Sequence, residues 1–96
     1  MDSEEVRSVS HSLYGNRYFL EVSATIAAVS QRTTTQKELA ALAQIDKSLV
    51  ALVVSRLLDA GLLRRSPGDG RERPLLPKDS VFWQLAADLL RELRDA

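Results

Sequence analysis

Thr35-Gln36-Lys37-Glu38-Leu39-Ala40-Ala41-Leu42-Ala43-Gln44-Ile45-Asp46-Lys47-Ser48-Leu49-Val50-Ala51-Leu52-Val53-Val54-Ser55-Arg56-Leu57-Leu58-Asp59-Ala60-Gly61 is the stretch whose reading decides the fold. Thr35 and Glu38 have the spacing of a capping box, in which the hydroxyl accepts from the glutamate amide while the carboxylate reaches back. A helix therefore starts at Thr35, with Leu39, Ala40 and Ala43 on its packing side. After about two and a half turns the chain reaches Gln44-Ile45-Asp46. Asp46 can cap a new helix, its carboxylate also favoured by the helix's positive end. That helix runs from Lys47 to Ala60 and stops at Gly61, a residue suited to the left-handed C-terminal position.

Two helices separated by about three residues, with Ile45 filling the bend, match a helix-turn-helix, whose second helix commonly lies in a DNA major groove. Beyond it, Leu62-Leu63-Arg64-Arg65 reads as a short strand and Ser66-Pro67-Gly68-Asp69-Gly70 as dense turn chemistry, with Arg71 to Leu76 as the returning strand. This hairpin is a wing. Asp79-Ser80 then caps a last helix, Val81 to Arg94, whose apolar flank is Phe82, Leu85, Ala86, Leu89, Leu90 and Leu93.

On the N-terminal side, Phe19, Val22, Ile26 and Val29 recur at helical spacing, giving an amphipathic helix from about Arg17 to Ser30 that Asn16 can cap. Leu20, Ala24 and Ala27 widen its stripe, so it is expected to be covered on more than one side. Residues 1–16 read as an arm or a short helix, with Val6, Val9 and Leu13 at helical spacing. The expected fold is all-α with a small β-wing, a winged helix-turn-helix over residues 17–96 with terminal dimerisation helices.

Ninety-six residues with 45% apolar content, three prolines and four glycines describe one globular domain with a small core. An apolar helix on so small a domain is better buried against a second copy than left in water. Cysteine is absent, which excludes disulfides, thiolate metal sites and a cysteine nucleophile. Residues 1–7 hold three acids and one base with no apolar run after them, and the longest apolar run is Leu49–Val54, so neither a signal peptide nor a membrane span is expected. The expected location is cytoplasmic, on the nucleoid.

Net charge is zero, but it is unevenly distributed. Between Gly61 and Lys78 stand Arg64, Arg65, Arg71, Arg73 and Lys78 against Asp69 and Glu72, while both ends of the chain are acidic. A basic stripe on a neutral protein can still meet phosphates. Catalysis finds no support: His11, between Ser10 and Ser12, has no acid oriented behind it, and no Gly-rich loop joins a strand to a helix. No enzyme activity, cofactor or metal is expected.

Thr35–Ala40, Ile45–Ser48 and Arg56-Leu57-Leu58-Asp59-Ala60-Gly61-Leu62-Leu63 together resemble the winged-helix regulators of the ArsR and MarR type, over about Arg17 to Arg94. The resemblance implies a transcriptional regulator that binds double-stranded DNA as a homodimer. Three positions depart from the pattern. Gln44 stands where the family usually has Gly, Leu52 where relatives often carry Arg or another polar base reader, and Ala51 where Ser is frequent. Metal-sensing relatives need clustered Cys or His, and this chain has His11 alone.

With Val50, Val54 and Leu57 turned inward, about 100° per residue points Ser48, Leu52, Ser55 and Asp59 outward, with Lys47, Leu49, Ala51 and Arg56 on the flanks. The expected DNA-binding set is Lys47, Ser48, Leu52, Ser55 and Arg56 on the helix, with Arg64, Arg65, Arg71 and Arg73 on the wing. Serines can bond phosphates or base edges, and Leu52 can touch thymine methyls. The expected dimer interface is Phe19, Val22, Phe82, Trp83, Ala86, Leu89 and Leu93, on the two terminal helices. The competing reading makes the same helix a protein-interaction surface built on Leu49 and Leu52.

Overall fold

The structure, a computed structural model, describes residues 1–29, 34–67 and 74–96. Along them run α1 (Ser3–Tyr14), α2 (Phe19–Ala28), α3 (Gln36–Ala43), α4 (Lys47–Asp59), β1 (Leu63–Arg65), β2 (Leu75–Pro77) and α5 (Val81–Asp95). Four helices begin where a short polar side chain can take an orphan amide. Asp2 accepts from Glu5 N at 2.9 Å, Thr35 from Glu38 N at 3.2 Å, Asp46 from Ser48 N at 2.9 Å and Ser80 from Phe82 N at 3.1 Å. At Thr35 the glutamate reaches back to the hydroxyl, 3.3 Å away.

The first sixteen residues hold a regular helix, and its attachments explain why it is no loose arm. Glu4 and Glu5 lie in its first turn, where the helix dipole favours acids, and Gly15 ends it at φ 74°, its amide bonded to His11 O at 2.8 Å. Val6 packs with Leu20, Ala24, Ala86 and Leu90 in a cluster shared by α1, α2 and α5. The buried Ser10 hydroxyl donates to Asn16 O at 2.8 Å and accepts from Leu20 N at 3.0 Å, tying α1 to the start of α2. Arg7 pairs with the buried Glu21 at 2.8 Å and lies 5.0 Å from the Tyr18 ring centre, while Arg17 pairs with Glu4 at 2.6 Å. Asn16 accepts from Tyr18 N at 2.8 Å, so its side chain prepares α2 from just outside the helix, and Tyr18 occupies the cap position.

Helix α2 is the axis of the fold. It packs against α1, α3, α4 and α5, which is why its buried residues, Leu20, Val22, Ala24 and Ile26 among them, exceed one stripe. It stops at Ala28, short of the Ser30 expected from periodicity, and Ser30 itself lies outside the described residues. The main core joins Val22 and Ile26 to Leu39, Ile45, Val50, Val53, Val54 and Leu57, and closes with Leu63, Leu75 and Trp83. The Trp83 indole satisfies its own N–H by donating to Lys78 O at 2.8 Å.

Strands β1 and β2 pair antiparallel, with Leu63 opposite Pro77, Arg64 opposite Leu76 and Arg65 opposite Leu75. Thr34 adds a bridge to Leu75, whose amide donates to Thr34 O at 2.6 Å, so the hairpin base is sewn to the segment before α3. Leu63 and Leu75 anchor it in the core. The returning strand was expected from Arg71; the described strand begins at Leu75, and residues 68–73 lie outside the described residues. Helices with a small two-stranded sheet in this order form a winged helix-turn-helix. No helix among the described residues is long and apolar enough to cross a membrane.

Candidate nucleic-acid interface

The turn before α4 sets how that helix is presented. Gln44 takes φ 56° and ψ 45°, the left-handed conformation that Gly adopts without cost. Ile45 is buried below it, and Asp46 leads into α4. Val50, Val53, Val54 and Leu57 are fully buried, so one side of α4 is spent on the core; Val53 belongs to it besides the three expected residues.

The opposite side faces solvent. Lys47, Ser48, Leu52 and Ser55 are exposed, Leu52 by 58%, while Leu49 and Ala51 are half-buried on the flanks. The Ser48 hydroxyl donates to Asp46 Oδ1 at 2.7 Å, which commits its proton and leaves the oxygen as an acceptor. That bond, with the Ser48 amide, holds the Asp46 carboxyl below its ordinary value, so a fixed negative charge stands at the start of α4.

Arg56 leaves this surface. Its Nη1 donates to Tyr14 O at 2.5 Å, so the guanidinium lies at the C-terminal end of α1, apart from Ser48 and Leu52. Arg64 and Arg65 follow α4 immediately, on β1, and both are exposed. Arg71 and Arg73 lie outside the described residues. The described groups can meet an extended polyanion with Lys47, Arg64 and Arg65, and can offer it polar acceptors and an apolar Leu52 between them.

The residues expected at a dimer interface divide in two. Val22, Trp83 and Ala86 are buried within this one chain and offer no surface to another: the α2–α5 contact expected at an assembly interface is this chain's own core. Phe19 and Phe82 are half-buried in a run of ring contacts, Tyr14 to Phe19 at 4.6 Å, Phe19 to Phe82 at 5.9 Å and Phe82 to Trp83 at 5.0 Å. Leu89 and Leu93 are half-buried at the edge of the second cluster. Away from α3 and α4, the large apolar side chains more than half exposed among the described residues are Leu13 at 59%, Leu85 at 62% and Val81 at 78%. Leu85 borders an open groove of about 650 Å³ lined also by Tyr14 and Leu89, with Asp88, Arg91, Glu92 and Asp95. Leu85 was legible on the apolar flank of the last helix and Leu13 in the helical spacing of the first segment; Val81 gave no such signal.

His11 is exposed, and no group of three metal-ligating side chains is found among the described residues.

A helix-turn-helix with an open outer face, flanked by a hairpin carrying arginines, defines the class as winged helix-turn-helix. The chain belongs to the MarR family, whose family model matches residues 22–72. Its structure is similar to that of MepR, described as a transcription regulator of the Staphylococcus aureus multidrug efflux pump MepA, with a TM-score of 0.67 at 13% identity over 97% of this chain and 67% of that one. It is similar to a MarR family transcriptional regulator from Silicibacter pomeroyi, TM-score 0.68 at 24% identity over 96% and 63% of the two chains. A MarR family regulator from Neisseria meningitidis gives a TM-score of 0.61 at 23% identity over 92% and 63%. The chain thus spans about two thirds of the length of these structures. Comparison with curated proteins gives no match.

Proposed function

We propose that this protein is a transcriptional regulator that binds double-stranded DNA as a homodimer on a palindromic site, with α4 in the major groove and the arginines of the wing on the backbone or minor groove. One observation carries the reading: Ser48, Leu52 and Ser55 face solvent from a helix whose other side is locked into the core. A side chain exposed on a rigidly held helix is suited to reading base edges, and Arg64 and Arg65 stand next to it to hold phosphates. Family membership supports a regulator without enzyme activity or cofactor, working in the cytoplasm.

A mobility-shift titration with duplex fragments at low and high salt tests this. Counterion release makes the affinity for DNA fall linearly in log–log with salt, about 0.9 unit of slope per phosphate contact. Salt-insensitive association, or none, would reject the reading. Arg71→Ala with Arg73→Ala should weaken binding to every sequence alike and lower the slope by about one unit per contact removed. An unchanged slope would take those arginines off the backbone.

The second reading, an interaction module for another protein, draws on the apolar exposure of the same helix, with Leu52 at 58%. In that case Leu49 and Leu52 form the contact, and Leu52→Asp abolishes it at any salt concentration.

A further inference from the structure

Arg56 is the only arginine of α4, and the structure directs it away from the helix's open side. Its Nη1 donates to the carbonyl of Tyr14, 42 positions earlier in the chain, at 2.5 Å. Both terminal nitrogens lie 3.6 Å from the point where a side chain on Gly15 would begin, so the guanidinium rests on the glycine that ends α1. Three physical terms favour it there. The last carbonyls of a helix lack intrahelical donors, a cation is favoured at the negative end of the helix dipole, and a hydrogen bond from a charged donor is stronger than a neutral one. Tyr14 is in turn fixed by ring stacking on Phe19, the first residue of α2.

We infer that Arg56 is a positioning residue, a strut between the C-terminal turn of α4 and the end of α1, and that it makes no contact with DNA phosphate. The last turn of α4 leads through only Ala60, Gly61 and Leu62 into β1, so a strut at Arg56 fixes the angle at which both the helix and the hairpin meet a duplex. The inference rests on the DNA reading for its consequence, and on α1 and α4 alone for its mechanism.

Arg56→Ala and Arg56→Lys separate the two. Hydrogen exchange on the free protein reads the strut: Arg56→Ala should speed exchange of the Gly15 amide and the last turn of α1 by roughly five- to tenfold, the order a charged hydrogen bond in a solvent-facing site supports. Arg56→Lys, which keeps one charged donor, should restore part of that protection. Salt titration of DNA binding reads the consequence: Arg56→Ala should lower affinity severalfold at every salt concentration and leave the slope unchanged. A slope lower by about 0.9 makes Arg56 a phosphate contact and overturns the inference, as does unchanged exchange at Gly15. Failure of the wild-type protein to bind any duplex would reject the DNA reading, and the exchange experiment would still decide the strut.

Discussion

Gln44 holds the turn between α3 and α4 at φ 56°, a backbone state that costs a side-chain-bearing residue about 1–2 kcal/mol. Glycine would relieve that strain and lose part of the gain, about 0.4–1 kcal/mol, to the greater freedom of the unfolded chain. Gln44→Gly should therefore raise the melting temperature by a few degrees, at roughly 4–8 °C per kcal/mol for a domain of this size. Gln44→Val, β-branched in a left-handed position, should lower it. Thermal unfolding followed by circular dichroism decides, and a glycine variant that melts earlier contradicts the account. Leu52 poses a different residue-level question, since an apolar side chain on a base-reading surface has one major-groove partner, the thymine methyl. Replacing that thymine by uracil should weaken binding by about 1 kcal/mol, the order of one buried methyl group. Leu52→Ala should then be indifferent to the replacement; equal sensitivity in both proteins would show that Leu52 does not touch the methyl.

Among the elements, α1 shows how a helix with little apolar surface is held by polar groups. Ser10 is fully buried and bridges Asn16 O to Leu20 N, so it is a hydrogen-bonded staple between α1 and α2. Ser10→Ala leaves both backbone groups without that partner and should cost about 1–3 kcal/mol. Chemical denaturation that puts the loss below a few tenths of a kcal/mol would mean that water replaces the hydroxyl. The contrast between α1 and the helix-turn-helix explains what the sequence discloses. Thr35, Asp46 and Ser80 act on amides two or three residues away, so helix starts can be read from local spacing. The burial of Val50, Val54 and Leu57 follows from period alone. Ser10 and Arg56 work across 6, 10 and 42 positions, and no local pattern announces such pairs. Helix α5 offers two apolar stripes, Trp83-Ala86-Leu90 and Val81-Leu85-Leu89, and only packing selects the first as core. For that reason Trp83 and Ala86 read as assembly residues in the sequence and stand inside the chain, as Val22 does because α2 is covered by four helices.

At the scale of the whole molecule, the homodimer proposed above has a candidate surface in the second stripe of α5. A two-fold contact is self-complementary, and this groove joins apolar Leu85 and Leu89 to charges of both signs, Arg91 and the acids Asp88, Glu92 and Asp95. Leu85 is the clean place to test it, because it is 62% exposed and its loss removes little core packing, whereas Leu89 also packs on the second cluster. Leu85→Asp should keep the helical circular dichroism and convert a dimer into a monomer by sedimentation at micromolar concentration. The proposed dimer would link two copies of α4, and such a linkage multiplies affinity by about 10²–10⁴ only when the geometry lets both bind at once. Two inverted half-sites should lie about 10 base pairs apart, one turn of the duplex. Inserting five base pairs, about half a turn, moves one half-site to the opposite side of the DNA and should remove most of the wild-type affinity. Leu85→Asp, binding one half-site at a time, should start from the lower affinity and be indifferent to the insertion. A variant that stays dimeric, or a wild-type protein that tolerates the half-turn insertion, would put the assembly surface elsewhere than on α5.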